Sequence, residues 1–198
     1  MQPIFAAADD KPAKPEKGDR LEEQLAFKSR YVLVFGEVND ALALAVCRRL
    51  LALSEESDAP ITMLISSPGG HVESGDSIFD LIRFVRAPVT TVGSGWVASA
   101  GAHIFLAPPK DRRVCLPNTR FMIHQPAGGA GGQATDIAIQ AKEILKTRER
   151  IARVIAVQTG KAYEAVVADM ERDYWMSADE AVKYGIVSRV IERQKDLA

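Results

Sequence analysis

Short apolar runs of β type alternate with longer stretches of helical apolar spacing along most of this chain, and that alternation narrows its folds more than any other feature. Tyr31-Val32-Leu33-Val34-Phe35 reads as a strand. Asn39 or Asp40 then caps a helix running to about Ala52, with Leu42, Val46 and Leu50 on one face. Ile61 to Ile65 is a second strand, and Val72 to Phe84 a helix with Ile78, Leu81, Ile82 and Val85 inward. A long helix is expected from about Thr135 to Gln158, stopped by Gly160. Ser177-Ala178-Asp179-Glu180 has the spacing of a capping box for a short helix that Gly185 ends, before a last strand from Ile186 to Ile191. Strands separated by helices predict an α/β domain with parallel strands.

Several of these strands run straight into turns of very small residues, where chemistry is easiest to place. Val89-Thr90-Thr91-Val92-Gly93 leads to Gly95-Trp96-Val97-Ala98-Ser99-Ala100-Gly101-Ala102 and then the apolar Ile104-Phe105-Leu106. A serine at such a strand-to-helix turn has an exposed hydroxyl beside open backbone N–H groups, which a nucleophile next to an oxyanion site needs. The alternative is a plain N-cap on a buried helix, since serine is a preferred cap. Two further segments favour chemistry. Ser66-Ser67-Pro68-Gly69-Gly70 is a second glycine turn after a strand, and Met122-Ile123-His124-Gln125-Pro126 releases a histidine from a short apolar run.

Together these segments resemble the proteolytic subunit of the Clp protease family of serine peptidases. The resemblance continues through Leu116-Pro117-Asn118, Gly131-Gly132-Gln133-Ala134-Thr135-Asp136-Ile137, Glu143-Ile144-Leu145, Arg172-Asp173, Met176-Ser177-Ala178 and Tyr184-Gly185, spanning about Val32 to Val190. It implies the Clp protease and crotonase fold of repeated β-β-α units with a protruding strand-helix handle. It also implies a serine endopeptidase in which Ser99 is the nucleophile, His124 the general base and Asp173 the orienting carboxylate, with the N–H groups of Gly70 and Ala100 as oxyanion donors. By the same resemblance, Gln125, Pro126, Gly128 and Gly129 belong to the handle strand that pairs with substrate, and Glu171 and Arg172 are candidates for contacts between rings.

Chemistry alone leaves rivals for these roles. His103, four residues after Ser99, could share a helix face with it, although its apolar neighbours suit a packed side chain. His71 could start a helix or line the substrate groove. Asp136, Asp169 and Asp179 compete with Asp173, which the resemblance alone selects. The order Ser99, His124, Asp173 and the presence of Val97 two residues before the serine exclude an α/β-hydrolase elbow. Where the family commonly has methionine after the nucleophile, this chain has Ala100, so altered preference for the residue before the cut is expected.

With 198 residues, 47% of them hydrophobic, the chain is sized for one domain with a substantial core. A net charge of -1 gives no electrostatic case for nucleic acid or for anionic membranes. No run approaches the roughly 18 apolar residues of a membrane helix. Cys47 and Cys115 lack paired metal spacing and read as free thiols, and neither a cofactor nor a metal is expected. Residues 1–19 read as a flexible segment, a candidate axial loop or propeptide, and residues 20–198 as a single peptidase domain. The first of these has no basic region and too short an apolar core for a secretory signal, which favours the cytoplasm. The resemblance further implies two stacked heptameric rings of this chain, acting on peptides and unfolded proteins and fed by a hexameric ATP-dependent unfoldase. Three alternatives stay open: a peptidase of the same family that needs no ATPase, a crotonase-type acyl-CoA enzyme, and a non-catalytic ring subunit.

Overall fold

The computed structural model describes residues 17–129 and 131–197. Helix α1 (Lys17–Lys28) precedes strand β1 (Tyr31–Phe35), helix α2 (Asp40–Glu56), strand β2 (Ile61–Ser67) and helix α3 (Val72–Phe84). Strand β3 (Val89–Ala98) runs into the short helix α4 (Ala100–Phe105), followed by strands β4 (Arg113–Cys115) and β5 (Arg120–Ile123). The long helix α5 (Ala134–Thr159), helix α6 (Tyr163–Asp169), strand β6 (Tyr174–Ser177), helix α7 (Ala178–Tyr184) and strand β7 (Arg189–Val190) complete the chain. The result is an α/β fold on one sheet of seven strands, parallel except where β5 meets β6.

Local chemistry explains most element boundaries. Asn39 caps α2 by accepting from the Leu42 N–H at 2.9 Å. The capping box expected at Ser177 and Glu180 forms, and Gly185 ends α7 in the left-handed conformation. Gly160 does the same for α5. The last strand is shorter than expected, because Ile186 and Val187 are used differently. Their N–H groups turn back to the Ala181 carbonyl, and both side chains are buried, so only Arg189 and Val190 pair with β4. Helices α1 and α6 and strand β6 carry no clear sequence signal. Helix α1 begins inside the stretch expected to be flexible, and the remainder of that stretch, residues 1–16, lies outside the described residues.

Strand β2 alternates strictly between buried and half-buried positions, placing Ile61, Met63 and Ile65 in the core. Leu50 and Leu53 of α2, Ile78 and Phe79 of α3, and Ile104 and Phe105 of α4 belong to the same core. The opposite face carries a small cluster of Val92, Val114 and Ile191. Both cysteines are free; Cys115 is fully buried, which pushes its thiol up to about 12.

One departure from a simple parallel sheet decides where the functional groups lie. The first half of β3 pairs with β4, through Thr91, Val92 and Gly93, while its second half pairs with β5, through Trp96, Val97 and Ala98. The fork needs glycine. A Cβ on Gly93 would come within 3.0 to 3.2 Å of Phe121, Thr119 and Cys115, and Gly95 bends the strand at a φ of +61. We expect Leu50→Ala, at a fully buried position, to lower stability by about 2–5 kcal/mol in urea denaturation.

Candidate functional site

Ser99 sits at the end of β3 with φ 54 and ψ -121, outside the regions that ordinary L-residues favour. The strand-to-helix turn therefore has the strained character of a nucleophile elbow, although its sequence lacks that motif's glycine. The turn is held by the Ser99 N–H donating to the Met122 carbonyl at 2.9 Å, an extension of the β3 to β5 ladder. Strand β5 ends one residue before His124. Ile123 is paired antiparallel with Tyr174 of β6, so continuing the register sets His124 opposite Asp173. Past His124, the Gln125 N–H donates to the Met170 carbonyl at 2.7 Å and its side chain donates to the Glu171 carbonyl at 3.0 Å, fixing the exit of the strand.

These pairings bring three distant residues into one hydrogen-bonded chain. His124 Nε2 is 2.8 Å from Ser99 Oγ, and His124 Nδ1 is 2.9 Å from Asp173 Oδ1. An ionised carboxylate only accepts, so Nδ1 is the nitrogen that donates, leaving Nε2 to accept from the serine hydroxyl. The imidazole is mostly buried, with 26% of its side-chain surface exposed, against 62% for Asp173.

The Gly69-Gly70 turn closes the other side of Ser99. A Cβ on Gly69 would lie 2.5 Å from Ser99 Cβ, and Gly69 itself has a φ of +98. Gly70, at φ +145, is pinned by Val38: the Val38 N–H donates to the Gly69 carbonyl and the His71 N–H to the Val38 carbonyl, each at 2.8 Å. A side chain at Gly70 would collide with the Val38 carbonyl. Neither the Gly70 N–H nor the Ala100 N–H donates a hydrogen bond among the described residues, so both are free for a ligand oxygen.

Two hollows flank the site, and Val72 and Pro126 line both. A narrow cavity of about 30 Å³ lies beside it, walled by Ala100, Ala102, His103, Ile123, Pro126 and Ile151. A wider cleft of about 380 Å³ runs past Gly70, His71, Pro126, Gly128, Gly129 and Ile144. Gln125, Pro126, Gly128 and Gly129 therefore flank the site, although the segment after Ile123 has no strand partner among the described residues. Glu171 is ion-paired with Arg148 of its own chain at 2.7 Å, and Arg172 is exposed.

Among the described residues, no side chain of the rivals hydrogen-bonds to the side chain of Ser99 or His124. His71, at the start of α3, contacts Ser74 at 2.7 Å and Glu73 at 3.1 Å on the rim of the cleft. Asp169 accepts from the Tyr184 hydroxyl at 2.7 Å, while Asp136 and Asp179 lie in the first turns of α5 and α7. His103 is buried, stacked on Phe79 with 4.4 Å between ring centroids, and its Nε2 is 3.0 Å from Asp76 Oδ1. Asp76 also takes two contacts from Arg150, at 2.7 and 2.6 Å. Burial alone would raise the Asp76 carboxyl, but the His103 ring and the Arg150 guanidinium outweigh it and hold the group at about 2. The sequence held no signal for this cluster, which joins residues on three different helices.

A hydroxyl held by an imidazole held by a carboxylate, beside two free backbone N–H groups, is an arrangement able to carry out serine-type acyl hydrolysis. The Clp protease family profile matches residues 16–194. The ATP-dependent Clp protease proteolytic subunit 3 of Rhizobium johnstonii is 51% identical over 189 residues, covering 96% of this chain and 97% of the relative. A proteolytic subunit 2 from Gluconobacter oxydans is 52% identical, covering 96% and 91%. The structure of ClpP1 from Listeria monocytogenes superposes with a TM-score of 0.82 at 49% identity, covering 90% of this chain and 99% of that one. The chain belongs to the Clp protease family and is a serine-type peptidase.

The approach of Gly69 to Ser99 yields a direct test. Gly69→Ala should slow labelling of Ser99 by a fluorophosphonate by at least about tenfold, because the new methyl would have to displace the serine. Asp76 yields another. Its folded-state value lies below the ordinary 3.8, so the stability it supplies is present above that value and lost as pH falls to about 2. Asp76→Asn should flatten the acid limb of a stability profile across that window and lower stability at neutral pH.

Proposed function

We propose that this chain is an endopeptidase that cleaves peptides and unfolded proteins inside an oligomeric chamber, with Ser99 as nucleophile. The observation carrying this reading is the 2.8 Å and 2.9 Å chain from Ser99 through His124 to Asp173, set beside the free N–H groups of Gly70 and Ala100. His124 Nε2 takes the Ser99 proton as Oγ attacks the scissile carbonyl, and the two N–H groups receive the oxyanion. Asp173 holds the ring in the needed tautomer and stabilises the imidazolium. His124 then gives its proton to the departing amine, leaving an acyl-serine that water hydrolyses by the same route in reverse. Substrate backbone laid along Gln125, Pro126, Gly128 and Gly129 would add to an unpaired edge, giving affinity that asks little of side chains.

The surface supports assembly. Leu33, Phe35 and Phe84 are 56, 51 and 77% exposed, and on α5 Ile139 and Leu145 are 57 and 61% exposed. Apolar area on that scale is what a monomer hides and an interface uses. Two stacked heptameric rings, with α5 and the neighbourhood of Glu171 and Arg172 between them, fit this pattern. The relatives' names include "ATP-dependent", yet this chain has no Gly-x-x-x-x-Gly-Lys-Ser/Thr phosphate loop, so a separate hexameric unfoldase would supply the ATP chemistry. Among the described residues no helix is long and apolar enough to cross a membrane; the cytoplasm suits a partner that unfolds cellular proteins.

Ser99→Ala should abolish peptide cleavage and fluorophosphonate labelling while leaving the oligomer intact by light scattering. His124→Ala and Asp173→Asn should each lower kcat by about three orders of magnitude or more. A Ser99→Ala protein that still cleaves would overturn the reading. For the partner, a stably folded, tagged reporter should disappear only when ATP and an unfoldase from the same host are added; loss of unstructured chains alone would favour an ATPase-independent peptidase.

A further inference from the structure

The two free N–H groups beside Ser99 are carried by different helices. Gly70 lies just ahead of α3 and Ala100 is the first residue of α4, so their separation depends on how those helices cross. At the crossing α3 offers Gly75, where a Cβ would stand 3.3 Å from the Ala100 Cβ, so the two backbones meet with almost nothing between them. One turn further along α4, His103 stacks on Phe79 of α3, and its Nε2 stands 3.0 Å from Asp76 Oδ1. The other side of that carboxylate is gripped by both arms of the Arg150 guanidinium on α5, at 2.7 and 2.6 Å. A two-armed pair fixes direction as well as distance. Asp76 therefore ties together the helix that follows Gly70, the helix that opens at Ala100, and the helix that walls the cleft.

We propose that Asp76 is a positioning residue for the oxyanion site: through His103 on α4 and Arg150 on α5, it fixes the distance between the N–H groups of Gly70 and Ala100. This rests on the peptidase reading above. Two donors that must meet one developing charge tolerate little displacement, because their full contact with it is made only in the transition state. Without the carboxylate, His103 loses a contact that holds α4 to α3, and Arg150 becomes an unpaired cation beside them. The crossing is then free to shift, while the peptide keeps its ground-state contacts along the cleft. An ion pair in a mostly buried place is a poor source of net stability, since desolvation offsets the attraction, and its best-attested use is to select one arrangement among several. Here the arrangement selected is the spacing of the two donors.

The test compares the assembled wild-type protein with Asp76→Asn and Arg150→Gln, in peptide cleavage and in inhibition by a peptide boronate, whose tetrahedral adduct on Ser99 sets an oxygen at both N–H groups. In Asp76→Asn, kcat should fall by about tenfold or more with KM nearly unchanged, and the boronate should bind more weakly by a similar factor. Arg150→Gln should show the same pattern, with a loss of at least about threefold. Leu50→Ala is the control: it removes core volume on α2 but none of the polar contacts of Asp76, and its boronate constant should match wild type. An inhibition constant does not depend on what fraction of the sample is active, so a merely structural role would leave it unmoved. Unchanged boronate binding in Asp76→Asn, or an equal loss in Leu50→Ala, overturns the role of Asp76 while leaving the peptidase reading intact. Should Asp76→Asn fail to assemble, Arg150→Gln decides by the same criterion. Absence of any Ser99-dependent cleavage in the wild type would overturn both.

Discussion

The pairing of the second half of β3 with β5, and of β5 with β6, is the constraint on which the site depends. One ladder fixes Ser99 to Met122, and the next fixes His124 against Asp173. Because register in a sheet moves in whole residues, a slip of one would turn every side chain to the opposite face and break the chain of hydrogen bonds. The glycines at 93 and 95 let β3 leave β4 and take up β5, so the fork and the site have the same cause.

Around that frame the chain accepts local strain where it serves a purpose. Ser99 is held at positive φ between a strand and a helix, Gly69 approaches it more closely than any side chain would allow, and Gly70 is pressed against Val38. Strain of this sort persists only where the surroundings over-determine it. Here they do: the Ser99 N–H is bound to β5, Val38 grips the Gly70 turn, and α4 is buried along its whole length. The free N–H groups of Gly70 and Ala100 follow from the same arrangement, since neither residue continues a ladder.

Much of this architecture was legible in the sequence. The strand at 31–35, the helix at 72–84, the Asn39 cap, the Ser177 box and the Gly160 and Gly185 stops all follow from short-range steric and hydrogen-bonding rules. The resemblance that named Ser99, His124 and Asp173 also pointed to residues the fold brings within hydrogen-bond reach. Helix α1 and strand β6 were not legible, because α1 exposes Leu21 and Leu25 and β6 exposes Tyr174 and Trp175, so neither shows the clean apolar periodicity of a packed element. The last strand was overread for the opposite reason: Ile186 and Val187 are apolar and β-branched, but they are buried in the turn that closes α7.

By itself, the sequence determined the class of fold and the elements that local rules control, since periodicity, caps and glycine stops act within a few residues. The choice among Asp136, Asp169, Asp173 and Asp179 belongs to tertiary structure. All four are ordinary carboxylates in composition, and only the antiparallel register of β5 with β6 sets one of them opposite His124. The same holds for His103, whose apolar neighbours correctly mark it as a packed side chain. That it also borders the cavity beside Ser99, backed by Asp76 and Arg150 from two other helices, depends on how those helices cross, which no short-range pattern encodes.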